Sequence, residues 1–302
     1  MKDILTIILR LTVACLLAGA VMGATFVFTN KAKKHNAHMH EQKVMLSLLG
    51  YSSQNPAPES LALHEVYRYL ISEEAKQSMG YLLPTKGTDH GTLTFVVIDL
   101  DGKFMEQTPV SIDPEKLADE RARTGAIATA LGPGKTLRYA EQTIVVTRDQ
   151  QRVAYLLPGK FPGFKTFISA MLALDQNFTI LGLEIMEHEE DPGLGGEIVQ
   201  KYFKNQFTGK PIEAVKKLDV VKTPLPDDYR KALEAEQGEG LGADEVAKIQ
   251  AQYKDKDIYA VTGATISSRS VTSGVKGIVQ KIAYRLEILD RVLLEQHIAV
   301  PF

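Results

Sequence analysis

The chain has 302 residues, 44% of them apolar, a formal charge of −2 and a pI near 6.4. That is length enough for one large domain or two small ones with a true core, and scattered Lys and Arg on a near-neutral chain give none of the basic face that nucleic acid demands. The single cysteine, Cys15, lies in the most apolar stretch, which excludes a disulfide framework and any zinc or iron–sulfur site built from this chain's own thiolates.

Residues 4–28 dominate the N-terminal region. Residues 11–28 carry no charge, and Arg10 interrupts only the first third of the run. A helix of about 25 residues exceeds the roughly 30 Å hydrocarbon core of a bilayer, so residues 1–29 read as a transmembrane anchor. Ala18-Gly19-Ala20 resembles a leader cleavage site, but the apolar run continues past it to Phe28, which a cleaved leader does not need. Lys2 and Arg10 favour an inside N-terminus, whereas Lys31, Lys33 and Lys34 follow the span and favour the reverse, so charge alone leaves the orientation open.

Residues 30–50 read as a juxtamembrane helix whose apolar part is Val44, Leu46, Leu48 and Leu49. His35, His38 and His40 fall inside it; a metal site there is conceivable, and a solvated face is the commoner use of such a run. A Pro-punctuated loop and a helix over residues 61–79 follow, making 30–90 a juxtamembrane helical segment. Residues 92–100 (TLTFVVIDL) read as a strand, and Asp101-Gly102 supplies a hairpin turn. Residues 113–123 read as a helix with Asp113 as N-cap, Pro114 at its first position and Gly125 just past its end. Strands are expected at 142–148, 152–157, 167–174 and 178–186. A glycine-rich loop, Glu189 to Gly196, leads to a helix over 197–207 with Ile198, Tyr202 and Phe203 on one side. Residues 224–257 read as a polar surface excursion with one helix near 244–253. The last element is a long helix over 267–295, striped with Ile278, Ile282, Leu286 and Leu289. Strands with segregated helices make residues 91–302 an α+β domain with flanking helices.

Two segments carry the chemistry. Val261-Thr262-Gly263-Ala264-Thr265-Ile266-Ser267-Ser268 is a small-residue turn opening the last helix. Gly263 and Ala264 leave room for a bulky group, and the free N–H groups of a first helical turn favour a phosphate. A helix start capped by its own Ser and Thr hydroxyls, binding nothing, accounts for the same residues. The second segment is Glu187-His188-Glu189-Glu190-Asp191-Pro192-Gly193-Leu194-Gly195-Gly196. Its glycines suit contact with a flat ligand; its acids read as a solvated face rather than a metal site, because they alternate along an extended chain.

Thr262-Gly263-Ala264-Thr265 resembles the Ser/Thr-Gly-Ala-Thr flavinylation motif of FMN-binding domains. These occur in the G subunit of the Rnf ion-translocating electron transport complex and in the C subunit of the sodium-translocating NADH:quinone oxidoreductase. The Pro-Gly-Leu-Gly loop, followed by Asn205-Gln206-Phe207-Thr208-Gly209-Lys210, is similar to the same families at the matching distance upstream. The N-terminal anchor is also their pattern, and the resemblance covers the anchor and roughly residues 150–290. Tyr259 stands where these families usually carry an acidic residue, and Asp191 where Thr is common. Ser268-Arg269-Ser270-Val271 leans toward the Rnf protein, Gly195-Gly196 toward its quinone oxidoreductase counterpart.

The resemblance implies FMN esterified through its phosphate to Thr265 by a separate flavin transferase. Thr262, Gly263 and Ala264 would then neighbour the phosphate. Gly193, Leu194 and Gly195 would pack on the isoalloxazine, with Phe164 or Phe161 stacking on it. It further implies an electron-transfer subunit among other membrane subunits, in a complex coupling ferredoxin:NAD oxidoreduction to ion translocation. The anchor would lie in the bilayer of a bacterial inner membrane, with the flavin domain on the periplasmic side. A membrane-anchored extracytoplasmic binding protein without flavin is the reading from a different class.

Overall fold

A computed structural model describes residues 2–74, 76–86, 92–235 and 242–302. The chain divides into two compact units, Met1–Ser47 and Leu48–Phe302. The first is almost wholly helix: α1 runs Lys2–Leu48, and within it the 22 residues Thr6–Val27 are long and apolar enough to cross a membrane.

The second unit is built on one eight-stranded sheet. Its strands are β1 (Leu61–Glu73), β2 (Lys76–Pro84), β3 (Thr92–Asp99), β4 (Phe104–Ser111), β5 (Thr136–Arg148), β6 (Gln151–Pro162), β7 (Phe167–Asp175) and β8 (Ile180–Glu187). They lie in the order β4-β3-β2-β1-β5-β6-β7-β8, and every neighbouring pair is antiparallel. Two four-stranded meanders therefore diverge from a central β1–β5 seam. Helix α2 (Glu120–Leu131) lies on the β4-to-β5 connection, and Asp119 caps it by accepting from the N–H groups of Arg121 at 2.8 Å and Ala122 at 3.0 Å. After β8 come the short helices α3 (Lys201–Lys204) and α4 (Ile212–Val215), strand β9 (Val220–Val221), helices α5 (Asp227–Glu234) and α6 (Ala243–Tyr253), and strand β10 (Ile258–Tyr259). β10 pairs with β9 in parallel and leads into the long helix α7 (Thr265–Glu295).

Each face of the sheet has its own cover because side chains alternate along a strand. Val66, Tyr81, Leu83, Val96 and Ile98 point to the face covered by α7, whose Val271, Val275, Val279, Ile282, Leu286 and Leu289 form the stripe that meets them. Such a side chain contributes about 1.5–3 kcal/mol when fully buried. Tyr67, Tyr69, Ile71, Leu82, Phe95 and Val97 point the other way and pack with Ile127 of α2.

The α+β class, the strands expected from residue 92 onward and the last helix agree with the sequence reading; four local expectations do not. Residues 61–79 form strands rather than a helix. Leu63, Val66, Tyr67, Leu70 and Ile71 have the i, i+3, i+4, i+7, i+8 spacing of a helical stripe, but β1 is covered on both faces and buries residues of both parities. The sheet thus begins before residue 91, and β1 and β2 belong with the strands that follow rather than with a juxtamembrane helical segment. The expected helix at 113–123 is a 3-10 turn capped by Asp113, then α2; Gly125 lies inside α2, and Gly132, with φ +77, ends it. The expected helix at 197–207 is broken into 3-10 and α turns. Among its described residues the excursion at 224–257 holds two helices rather than the one expected.

Candidate functional site

The turn into α7 is held by its own backbone and by Ser268. The Ala264 N–H donates to Val261 O at 3.0 Å, Ser268 Oγ donates to Ala264 O at 2.9 Å, and the Val261 N–H donates to the same Oγ at 3.0 Å. Gly263 takes φ +76, and a Cβ there would come within 2.9 Å of Leu194 Cδ2. The backbone hand calls for glycine at this position; the Leu194 methyl, at the end of an exposed side chain, could move aside. The structure overturns the self-capped helix start: no side chain caps α7, Ser267 is directed elsewhere, and Thr262 is exposed. Thr265 is the first residue of a 31-residue helix whose leading N–H groups lack a capping side chain, a place that favours an anion.

Beside Thr265 lies an open cleft of about 570 Å³, lined also by Pro162, Ile266, Arg269, Ser270 and the edge of Phe161. Phe161 is buried against α7 at Gly274, where any side chain would overlap its ring. Ser270 Oγ donates to Pro162 O and fixes the end of β6 to the helix.

The glycine-rich loop reaches the same helix through Glu190. The sequence reading put this acid on a solvated face; it is only 5% exposed. Its Oε1 accepts from the N–H groups of Phe164 at 2.8 Å and Lys165 at 3.2 Å, and its Oε2 accepts from Ser267 Oγ. Three donors from two other segments offset the desolvation that would otherwise keep the acid outside. Gly195 lies so close that a Cβ would sit 2.5 Å from Glu190 Oε2. His188 Nδ1 accepts from the Glu190 N–H at 3.2 Å and turns the loop inward.

The segment Asn205–Lys210 works at a distance. Gln206 brackets Tyr259, accepting from its N–H at 2.8 Å and donating to its carbonyl at 3.1 Å. Lys210 is 1% exposed and donates to the carbonyls of Tyr253, Lys254 and Lys256 at 3.0, 3.0 and 2.6 Å. Burial pulls its pKa down to about 8. Both residues thus fix the strand that delivers Thr262 to Thr265. Tyr259 is packed by the 224–257 excursion: Tyr229 and Tyr253 stack at 3.9 Å, and each meets Tyr259 edge-on at 6.3 Å.

Of the residues singled out in the sequence, the fold brings Leu194 onto Gly263 and Gly195 against Ser267. Thr265 faces the cleft with Phe161 and Pro162. Phe164 arrives through its backbone bond to Glu190, with its ring 63% exposed and outside that cleft. The bond that takes Ser267 away from the turn to a buried Glu190, and the placing of Arg269 and Ile266 on the cleft, were not foreseen. A buried tie between segments leaves no local pattern, although an acid beside a glycine that cannot bear a side chain is a signal in retrospect.

Residues 163–280, which carry the loop, the turn and the first half of α7, match the family model of the FMN-binding domain. The chain is similar to the G subunit of the proton-translocating ferredoxin:NAD(+) oxidoreductase complex of Clostridium ljungdahlii, 28% identical over 149 residues, covering 49% of this chain and 61% of that one. It is also similar to the C subunit of the Na(+)-translocating NADH-quinone reductase of Pseudomonas aeruginosa, 31% identical over 125 residues, covering 40% of this chain and 48% of that one. Roughly half to three-fifths of these relatives' length is therefore spanned. Among solved structures, NqrC of Shewanella oneidensis aligns with a TM-score of 0.37 at 18% identity, covering 63% of this chain and 78% of that one.

Proposed function

We propose that this chain is a membrane-anchored electron-transfer subunit that carries FMN as a phosphoester on Thr265. The observation that carries this reading is Thr262-Gly263-Ala264-Thr265 at an uncapped helix start, opening on a cleft of about 570 Å³ inside the segment that matches the FMN-binding domain. The residues present fit such a group. The cleft is within the usual 300–1,000 Å³ range of small-molecule sites, and the first N–H groups of α7 and the Arg269 guanidinium suit a phosphate. Gly263 gives clearance, with Thr262 and Ala264 beside it.

Bound FMN would supply one- and two-electron redox chemistry, which the polypeptide lacks. The chain's own part is placement. Thr265 Oγ is the attachment atom, the α7 start neutralises phosphate charge, and Ile266, Leu194 and Phe164, all exposed and apolar, are available to cover a flat ring together with Gly193 and Gly195. Glu190 holds two of these three segments to the helix.

In this reading Thr6–Val27 crosses the bacterial inner membrane once, the second unit lies on the periplasmic side, a flavin transferase attaches the cofactor, and other membrane subunits exchange electrons with it. The complex would be of the Rnf type, coupling ferredoxin:NAD oxidoreduction to ion translocation. Similarity to the quinone reductase protein and the Gly195-Gly196 pair favour a second assignment within the same class; the proteins that copurify separate the two.

The test is direct. Full-length chain coexpressed with a flavin transferase should fluoresce under ultraviolet light on a denaturing gel and gain the mass of one FMN on the Thr265 peptide. Thr265→Ala should abolish both. Fluorescence surviving in that variant places the site elsewhere, and native protein without flavin ends the proposal.

A further inference from the structure

Fifteen to twenty-three residues beyond Thr265, α7 crosses the β1–β3 part of the sheet and leaves a second cleft of about 400 Å³. At about 1.5 Å per helical residue its centre lies roughly 30 Å along α7 from Thr265. Its sheet wall comes from strands outside the segment that matches the FMN-binding domain.

One side of this cleft is apolar: Met79 and Ile98 from the sheet, Ile288 from α7, and at the rim Leu100 and Tyr284, the latter 63% exposed. The other side is cationic. Arg68 and Arg285 both donate to a single oxygen, Glu141 Oε1, Arg68 through Nε at 3.3 Å. Each guanidinium has five N–H donors; Arg68 also gives one from Nη1 to Met79 Sδ at 3.8 Å, and the shared carboxylate oxygen leaves the others for another acceptor. Tyr81 lies beside this pair, and burial raises its pKa, so its hydroxyl stays protonated and able to donate. Lys281 adds a third cation. The opposing Asp99 is already engaged, its Oδ1 accepting from the N–H groups of Asp101 at 3.0 Å and Lys103 at 2.8 Å in the β3–β4 turn. Three cations thus stand against Asp99 on the cleft wall and Glu141 behind it, each engaged through one oxygen. The rim is held open by a separate tie, Arg291 Nη2 donating to Gly102 O at 3.1 Å.

We infer that this cleft is a second ligand site, for an organic carboxylate with an apolar aliphatic or aromatic body. The carboxylate would accept from Arg68, Arg285 and Tyr81, with Lys281 at the mouth, and the body would lie on Met79 and Ile98 under Tyr284. A guanidinium receives a carboxylate through two parallel bonds, and apolar walls with a few converging polar groups are the usual make-up of a small-molecule site. The inference is independent of the flavin reading.

Equilibrium dialysis of full-length chain in phosphatidylcholine nanodiscs, against empty nanodiscs, tests it with 2-naphthoate and its neutral counterpart 2-naphthylmethanol as probes. The expected result is saturable binding of one naphthoate per chain, about tenfold or more tighter than the alcohol. Arg285→Met should weaken it at least as much. Lys281→Met, a change at an exposed position, should weaken it less and keeps the test valid if the first variant misfolds. Displacement by oleate marks a bilayer-derived ligand and its failure a water-soluble one, and both uphold the site. Equal binding of acid and alcohol, no effect of either variant, or no saturable binding overturns it.

Discussion

Glu190 shows how one side chain can organise a site. Its carboxylate holds the 163–166 turn and the first turn of α7 to the glycine-rich loop. Glu190→Ala leaves buried donors unmet, at about 1–3 kcal/mol for such a loss. Chemical denaturation should report that cost, and, with FMN on Thr265 as proposed, the yield of covalent FMN should fall with it; an unchanged yield in a folded variant would deny Glu190 any part in the site. Lys210 has the parallel role behind the motif, closing three carbonyls. Lys210→Met is expected to cost about 1–3 kcal/mol as well. The pH dependence has a definite sign. Lys210 titrates near 8 in the native chain against an ordinary 10.5 unfolded. Between those values the unfolded state binds more protons, so the linkage favours the native state as pH rises. Wild type should therefore gain stability relative to Lys210→Met between about pH 8 and pH 10 in paired urea titrations.

At the scale of elements, α7 joins the site to one face of the sheet, meeting β6, β9, α4 and the end of the glycine-rich loop. Its N-terminal half is fixed by Phe161 lying on Gly274. Its C-terminal half is fixed by Arg152, which makes a two-pronged bond to Asp290 at 2.6 Å on each arm. Gly274→Ala would push the Phe161 ring off the helix, and overpacking of this kind costs about 1–3 kcal/mol. Because Phe161 edges the Thr265 cleft, thermal denaturation and the rate of FMN attachment should both move. Helix α2 is pinned by a different device. Arg123 is buried over Tyr67, 3.8 Å from the ring centroid, and its Nη1 donates to Leu117 O at 2.5 Å. Arg123→Leu should loosen α2, and faster hydrogen exchange confined to residues 117–131 would report it.

At the scale of the whole molecule, the sheet does not respect the division suggested by the chain's own landmarks. The segment that matches the FMN-binding domain begins at residue 163, yet its strands continue a sheet whose centre is the β1–β5 seam, with register from Leu61↔Arg148 to Ser72↔Thr136. A chain beginning at residue 91 would expose the whole of β5 as an unpaired edge, which invites aggregation. Such a truncation is expected to be insoluble where the full chain in detergent is not. A soluble, cooperatively melting product would mean that the elements from β3 onward fold without β1 and β2.

Residue types and spacing alone determined the apolar N-terminal run, the strands expected at 92–100, 142–148, 152–157, 167–174 and 178–186 (β4, β9 and β10 were not among them), the last helix, and the small-residue turn at Thr262 to Thr265. Each rests on interactions between near neighbours: an apolar run, a period, a turn residue, a cap. Tertiary structure decided whatever depends on what lies across from a residue. It made β1 a strand because both faces are covered, although Leu63, Val66, Tyr67, Leu70 and Ile71 keep helical spacing. It buried Glu190 by supplying three donors, and it placed Leu194 on Gly263 across about seventy residues of chain. It also gathered Arg68 and Arg285 on one oxygen of Glu141. Local spacing gives a small-residue helix start and the motif's resemblance points to the threonine; only the packing of distant segments decides whether that threonine opens on a cleft, and what charge stands around it.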